Sequence, residues 1–219
     1  MMTIGRIVVA SFLLFLAHES ARGSTLCSTA LSVLAGGASC SDVDFSLAFS
    51  ATTGANRGVT DSSILVTVTS TGPSNLTVTY GPNVPLSGTG TLVTYDFQYT
   101  VSYASSELMT AEAISVFDPQ ISGSGIVGAF VGVDGDFADL TPFSNAADDG
   151  DTLSASSSLP GLGSPQAVED NITLTQVEGT ATAGNVVNTL TFTSVPEPGT
   201  IFLCGAGLLG ARLLRRFKK

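Results

Sequence analysis

The chain has 219 residues, yet it contains no tryptophan, one histidine, three cysteines and only eight cations. Where the scarce residues sit excludes more than their counts do. His18, Arg6 and Arg22 precede residue 24, and five cations follow residue 211. Residues 24–199 therefore hold one cation, Arg57, against seventeen acids, with no lysine and no histidine. Without histidine, neither a Ser-His-Asp triad nor a Cys-His pair can form in that stretch. Without lysine, Schiff-base and Ser-Lys chemistry go as well. Without tryptophan, the strongest sugar-stacking side chain is missing. A surface this acidic repels nucleic-acid phosphates and anionic lipid, so no nucleic-acid partner is expected. Apolar runs of full membrane-span length are also missing: the two longest cover residues 7–17 and 201–214.

Both runs lie at the chain ends, and their flanks differ. The first follows Arg6 and leads to the small-x-small triplet Ala21-Arg22-Gly23. A positive start, an h-region of this length and a small-residue cleavage site make residues 1–23 a removable secretory signal. A membrane anchor would need about 20 apolar residues. Export in turn favours oxidised thiols. Cys204 lies in the tail, leaving Cys27 and Cys40 as an even pair expected to form a disulfide. Zinc binding is a poor alternative, because two thiolates without histidine fall short of four ligands.

The second run is preceded by Pro196-Glu197-Pro198 and followed by a basic end. Residues 201–214 are apolar apart from Arg212, with glycines spaced through them. As a helix they reach about 21 Å, short of a roughly 30 Å hydrocarbon core. Snorkelling of Arg212, Arg215 and Arg216 makes up much of the difference, and Lys218 and Lys219 complete a cluster that holds the end on the cytoplasmic side. The two prolines stop any helix from running upstream.

The order Pro196-Glu197-Pro198, glycine- and leucine-rich span, terminal arginine and lysine cluster resembles the PEP-CTERM sorting signal; Cys204 inside the span is a minor departure. The resemblance covers only the last 25 or so residues. It implies a partner, an exosortase-type membrane transpeptidase, and transient residence in the inner membrane before cutting near the tripeptide. It further implies delivery to the cell surface or matrix of a Gram-negative bacterium that makes exopolysaccharide. It implies no particular activity, since such signals follow many unrelated domains.

Between the ends the pattern is that of strands. Over residues 91–102, Val93, Tyr95, Phe97, Tyr99 and Val101 alternate with polar residues, a period of two that marks a half-buried antiparallel strand. Ile64, Val66 and Val68 alternate likewise, as do Leu76, Val78 and Tyr80. Further strands are predicted at 45–50, 113–118, 126–133, 172–177 and 186–193. Glycine, proline and asparagine turns separate them. Residues 30–34 hint at helix, 104–112 read as a short helix or a loop, and 144–169 as the longest irregular stretch. The expected fold is all-β: an antiparallel β-sandwich of jelly-roll or immunoglobulin-like kind. A cleavable signal helix at 1–23 and a C-terminal transmembrane helix flank it. Residues 24–194 form the extracellular domain and 195–219 the sorting signal.

Little in that domain points to chemistry. Gly123, Gly125 and Gly128 match a phosphate-loop spacing, but they sit in a turn and strand without a following helix. Paired carboxylates are available for glycoside hydrolysis, yet nothing in the sequence brings two together. Asp134, Asp136 and Asp139, with Asp148, Asp149 and Asp151 beyond, alternate with glycine as calcium loops do. The full EF-hand pattern is absent, and the same residues are ordinary turn formers. No cofactor other than calcium is suggested. The expectation is thus an exported, non-enzymatic surface or matrix protein. The alternative is a carbohydrate-binding or adhesion module, calcium-stabilised, with Tyr80, Tyr95, Tyr99 or Tyr103 as a sugar platform.

Overall fold

The computed structural model describes residues 23–133, 136–143, 152–176 and 179–195, with 136–143 described through their backbone. The leader and the sorting tail, including Pro196, Glu197, Pro198 and the basic cluster, lie outside the described residues, as does Asp134.

In chain order the strands are β1 (Ser24–Ala30), β2 (Cys40–Ser41), β3 (Phe45–Phe49), β4 (Ile64–Ser70), β5 (Asn75–Pro82), β6 (Leu92–Tyr103) and β7 (Glu107–Phe117). They continue as β8 (Gln120–Gly123), β9 (Ile126–Val133), β10 (Asp136–Phe143), β11 (Thr152–Leu162), β12 (Gln166–Thr175), β13 (Gly179–Thr182) and β14 (Val186–Ser194). One short helix, α1 (Leu31–Ala35), follows β1 and buries Leu31 and Leu34. Two six-stranded antiparallel sheets result, in the orders β1-β4-β5-β14-β7-β11 and β10-β9-β12-β6-β3-β2. The pair β8–β13 forms a small third ribbon.

Period-two alternation decides which face of each strand is covered. In β6, Val93, Tyr95, Phe97, Tyr99, Val101 and Tyr103 are buried. In β14 the buried set is Val186, Asn188, Leu190 and Phe192. The inner faces of the two large sheets meet in a single core. Rings interlock across the gap: Phe45 and Tyr103 of one sheet stand 4.9 and 4.8 Å from Phe192 of the other, and Phe97 stacks on Tyr80 at 4.2 Å. Each fully buried side chain of this size contributes about 1.5–3 kcal/mol of transfer free energy. The core, not any one strand pair, holds the layers together.

Each predicted strand is present, and three expectations need correcting. Residues 104–112 are neither helix nor loop throughout: a tight turn, closed by Glu107 N–H donating to Ala104 O at 3.0 Å, leads straight into β7. Local helix formers yield there because β7 pairs with both β14 and β11, burying Met109, Ile114 and Val116. Residues 152–169 are mostly strand rather than irregular. β11 forms the edge beside β7, from Thr152 opposite Phe117 to Ser158 opposite Ala111. Its alternation is faint in the sequence because the outward partners of Leu153 and Leu159 are small serines that carry little hydropathy contrast. β1, β2, β8, β10 and β13 are likewise not announced by the sequence, being short, acidic or weakly alternating. β9 and β10 pair antiparallel with Val133 opposite Asp136.

The expected disulfide is present. Cys27 and Cys40 are bonded, with Cα atoms 5.3 Å apart, inside the normal range. Its position matters more than its existence: β1 is one edge of the first sheet and β2 one edge of the second. The bond therefore clips the two layers together along one margin. Closing a loop this short restricts the unfolded chain by about 3 kcal/mol. Replacing both residues, Cys27→Ser with Cys40→Ser, is expected to lower the unfolding free energy by about 2–4 kcal/mol in urea titration. An unchanged midpoint would show that the core alone holds the margin shut.

Candidate functional site

Two polar assemblies stand out, one open to solvent and one sealed. The open one is built by the chain between β3 and β4, which lies over β6. Gly54 passes so close that a Cβ there would sit 2.1 Å from Thr94 O, and its φ of +116° is one that only glycine adopts readily. Ala55 N–H donates to Thr94 Oγ1 at 2.8 Å, and Asn56 Nδ2 donates to Leu92 O at 2.7 Å. The Tyr95 hydroxyl accepts from Gly58 and Val59 N–H at 3.0 and 3.1 Å and donates to Ser87 O. So lashed, the segment and Ser32 of α1 border an open cleft of about 660 Å³ lined by Asn56, Arg57, Thr60, Asp61 and Ser62.

Arg57, the lone cation of residues 24–199, sits in that cleft with Nη1 3.5 Å from Asp61 Oδ1. The other Asp61 oxygen accepts from Thr52 N–H at 3.0 Å, so the carboxylate is already tied to the loop. Such a solvent-facing pair contributes under about 1 kcal/mol. Thr60 Oγ1 shares hydrogen bonds with Ser62 and Ser63. The cleft offers donors and acceptors to a polar ligand, but no nucleophile with an adjacent base.

The sealed assembly lies midway between the sheets. Asn188 of β14 donates through Nδ2 to the Tyr99 hydroxyl of β6 at 2.9 Å and to Asp170 Oδ1 of β12 at 2.7 Å. Asp170, Asn188 and Glu112 are completely buried, and Tyr99 nearly so. Burial raises the Asp170 carboxyl well above its ordinary range; the Asn188 hydrogen bond pulls the other way, and the charges of Glu112 and Glu169 add to the rise. Burial likewise pushes the Tyr80 and Tyr99 phenols up, with Asp170 the next cause for both. The Tyr80 phenol faces Asp170 and acts on it through its side chain, lowering the carboxyl as Asn188 does, although its hydroxyl makes no bond of ordinary geometry. The structure thus brings together the two carboxyls, Asp170 and Glu112, that the sequence left unpaired. It puts them where no substrate reaches, so this is a cross-sheet tether rather than a hydrolytic pair. Its signal was present in the sequence: Asp170 and Asn188 occupy inward positions of alternating strands.

The tyrosine platform is overturned. Tyr80 and Tyr95 are fully buried, Tyr99 is 2 % exposed and Tyr103 8 %. Their rings fill the core, and the Tyr103 hydroxyl is spent on Leu162 O at 2.7 Å. Among the described residues no group of three His, Cys, Asp or Glu side chains is placed to hold a metal. Asp134 and the side chains of Asp136 and Asp139 lie outside them. No described helix is long and apolar enough to cross a membrane.

Comparison with known proteins bears on the tail. Residues 194–219 match the PEP-CTERM protein-sorting motif, so the tail is a sorting signal of that family. The motif implies export and handling by an exosortase. No curated protein matches the chain. Among solved structures, TmCBM61 in complex with β-1,4-galactotriose aligns at 6% identity over 54% of this chain and 70% of its own, TM-score 0.27. The enzymatically active domain of tailspike protein 4 of bacteriophage CBA120 aligns at 11% identity, over 70% of this chain and 20% of its own, TM-score 0.26. A family two carbohydrate esterase from Cellvibrio japonicus aligns at 13%, over 80% and 36%, TM-score 0.25. At these scores the likenesses decide nothing about ligand or activity.

The sealed carboxyl sets a pH dependence. A folded-state pKa raised above the unfolded value gives stability that is full below the ordinary carboxylate range, about 3.9, and is lost as pH rises toward the folded value. Asp170→Asn keeps an acceptor for Asn188 and removes the charge. The variant is expected to match the wild type near pH 3 and to exceed it increasingly toward neutrality, read as melting temperature against pH. Parallel curves would show that Asp170 does not titrate in this range.

Proposed function

We propose that the chain is an exported, non-enzymatic β-sandwich protein of jelly-roll or immunoglobulin-like kind, routed by its C-terminal signal to the surface or extracellular matrix of a Gram-negative bacterium. Residues 1–23 are the leader, 24–194 the extracellular domain and 195–219 the sorting signal. Pro196, Glu197 and Pro198 form the recognition tripeptide. Residues 201–214 rest transiently in the inner membrane, with Arg212, Arg215, Arg216, Lys218 and Lys219 on its cytoplasmic side. An exosortase-type transpeptidase is the partner, and exopolysaccharide the surroundings into which the protein is released. The single observation that carries this reading is the sorting-motif match over residues 194–219. The cystine and the acidic, lysine-free body suit an extracellular setting.

A second reading, a carbohydrate-binding or adhesion module, is favoured by the polar cleft beside Arg57. It has lost its tyrosine platform.

Intact-mass spectrometry of the protein, fraction by fraction from the producing cells, tests the first reading. The expected extracellular species begins at Ser24 and ends near Pro198. Replacing Pro196, Glu197 and Pro198 together by alanine is expected to leave residues 201–219 attached and the protein in the membrane fraction. Wild-type protein found only there, with its tail intact, sinks the proposal.

A further inference from the structure

The outer face of the sheet β1-β4-β5-β14-β7-β11 carries no charge at all among the described residues. In a body with seventeen acids this needs a reason. Alternation turns Leu65, Thr67 and Thr69 of β4 outward, and Thr77 and Thr79 of β5. It does the same for Val187, Thr189, Thr191 and Thr193 of β14. The only acids of these six strands, Glu107 and Glu112, are both in the buried set. The opposite sheet is different: its outer face carries Asp96 and Glu169.

Register lines these side chains up across strands. One row runs from Ser28 through Thr67 and Thr79, past Val187, to Ser115 and Ser154. The next places Thr69, Thr77 and Thr189 side by side. Hydroxyls therefore repeat about every 4.8 Å across the strands and about 6.6 Å along them. Some already bond to each other, as Ser28 to Thr67 at 3.0 Å and Thr110 to Thr193 at 3.3 Å. The unbonded hydroxyls carry both donor and acceptor capacity, and those that already donate keep their acceptor lone pairs.

The chemistry of this face narrows its occupant. With no cation it does not attract an anionic polymer, and with no anion it does not attract a basic one. Protein interfaces centre on tyrosine, tryptophan and arginine anchors, and this face presents none of the three. A field of neutral hydroxyls, broken by Leu65 and Val187, fits a neutral, polyhydroxylated chain laid along it. We propose that this face binds neutral polysaccharide. The inference rests on the extracellular reading only for where such a polymer is met.

Affinity electrophoresis of the protein isolated from its producing cells tests it, in gels containing hydroxyethylcellulose, dextran or anionic carboxymethylcellulose. Retardation by at least one neutral polymer and not by the anionic one is expected. Thr79→Glu with Thr189→Glu is expected to weaken that retardation by about tenfold or more. Thr100→Glu with Ser102→Glu, on exposed positions of the opposite sheet, keeps it. Circular dichroism and melting curves establish that both variants fold. The proposal is overturned if no neutral polymer retards the protein, or if both double variants lose retardation equally. It is also overturned if the Thr79 and Thr189 change alters only self-association on sedimentation. Because the assay uses purified protein, its failure leaves the mass-spectrometric test of sorting untouched.

Discussion

The structure depends on one constraint: two sheets must each bury one face, and neither can do so without the other. The strands β3, β4, β5, β6, β12 and β14 alternate, and the inward half of that alternation becomes a single core only when the layers meet. The cross-sheet ring contacts of Phe192 with Phe45 and Tyr103, and of Tyr80 with Phe97, show how close that meeting is. Dispersion and apolar burial supply the attraction, but they are indifferent to register. The Asn188 amide supplies register, because it bonds to Tyr99 and Asp170 in one arrangement of the sheets and not in a slipped one. A buried polar tether of this kind favours one alignment of the sheets, and the burial that it requires raises the Asp170 pKa.

Closure at the margins uses different devices on the two sides. On one, a covalent bond joins edge strands β1 and β2. On the other, the edges β10 and β11 lie against each other without such a bond. The disulfide suits an oxidising compartment, in keeping with the export that the sorting motif implies. Structure and destination are therefore consistent, although they rest on separate residues.

What the two described surfaces offer a ligand is mainly polar. The tyrosines are consumed by the core and by pinning loops, as Tyr95 does for Gly58 and Val59. The cleft beside Arg57 presents one ion pair already engaged with its own loop. The outer face of the first sheet presents hydroxyls in register and no charge.

Composition and pattern by themselves determined the all-β class, the main strands with their inward residues, the cystine and the sorting tail. Each of these follows from local chemistry: period-two burial, cysteine parity, or an ordered trio of segments. Tertiary structure alone decided the rest. β11 became a strand because β7 offered an unpaired edge, which its serine-rich sequence does not announce. Asp170 and Glu112, 58 residues apart in the chain, became neighbours in the core because β12 and β7 belong to facing sheets. The threonines, read singly as ordinary strand residues, became a face only through the register of six strands. Pairing partners lie far apart along the chain, and no local propensity encodes which distant edge a strand will meet.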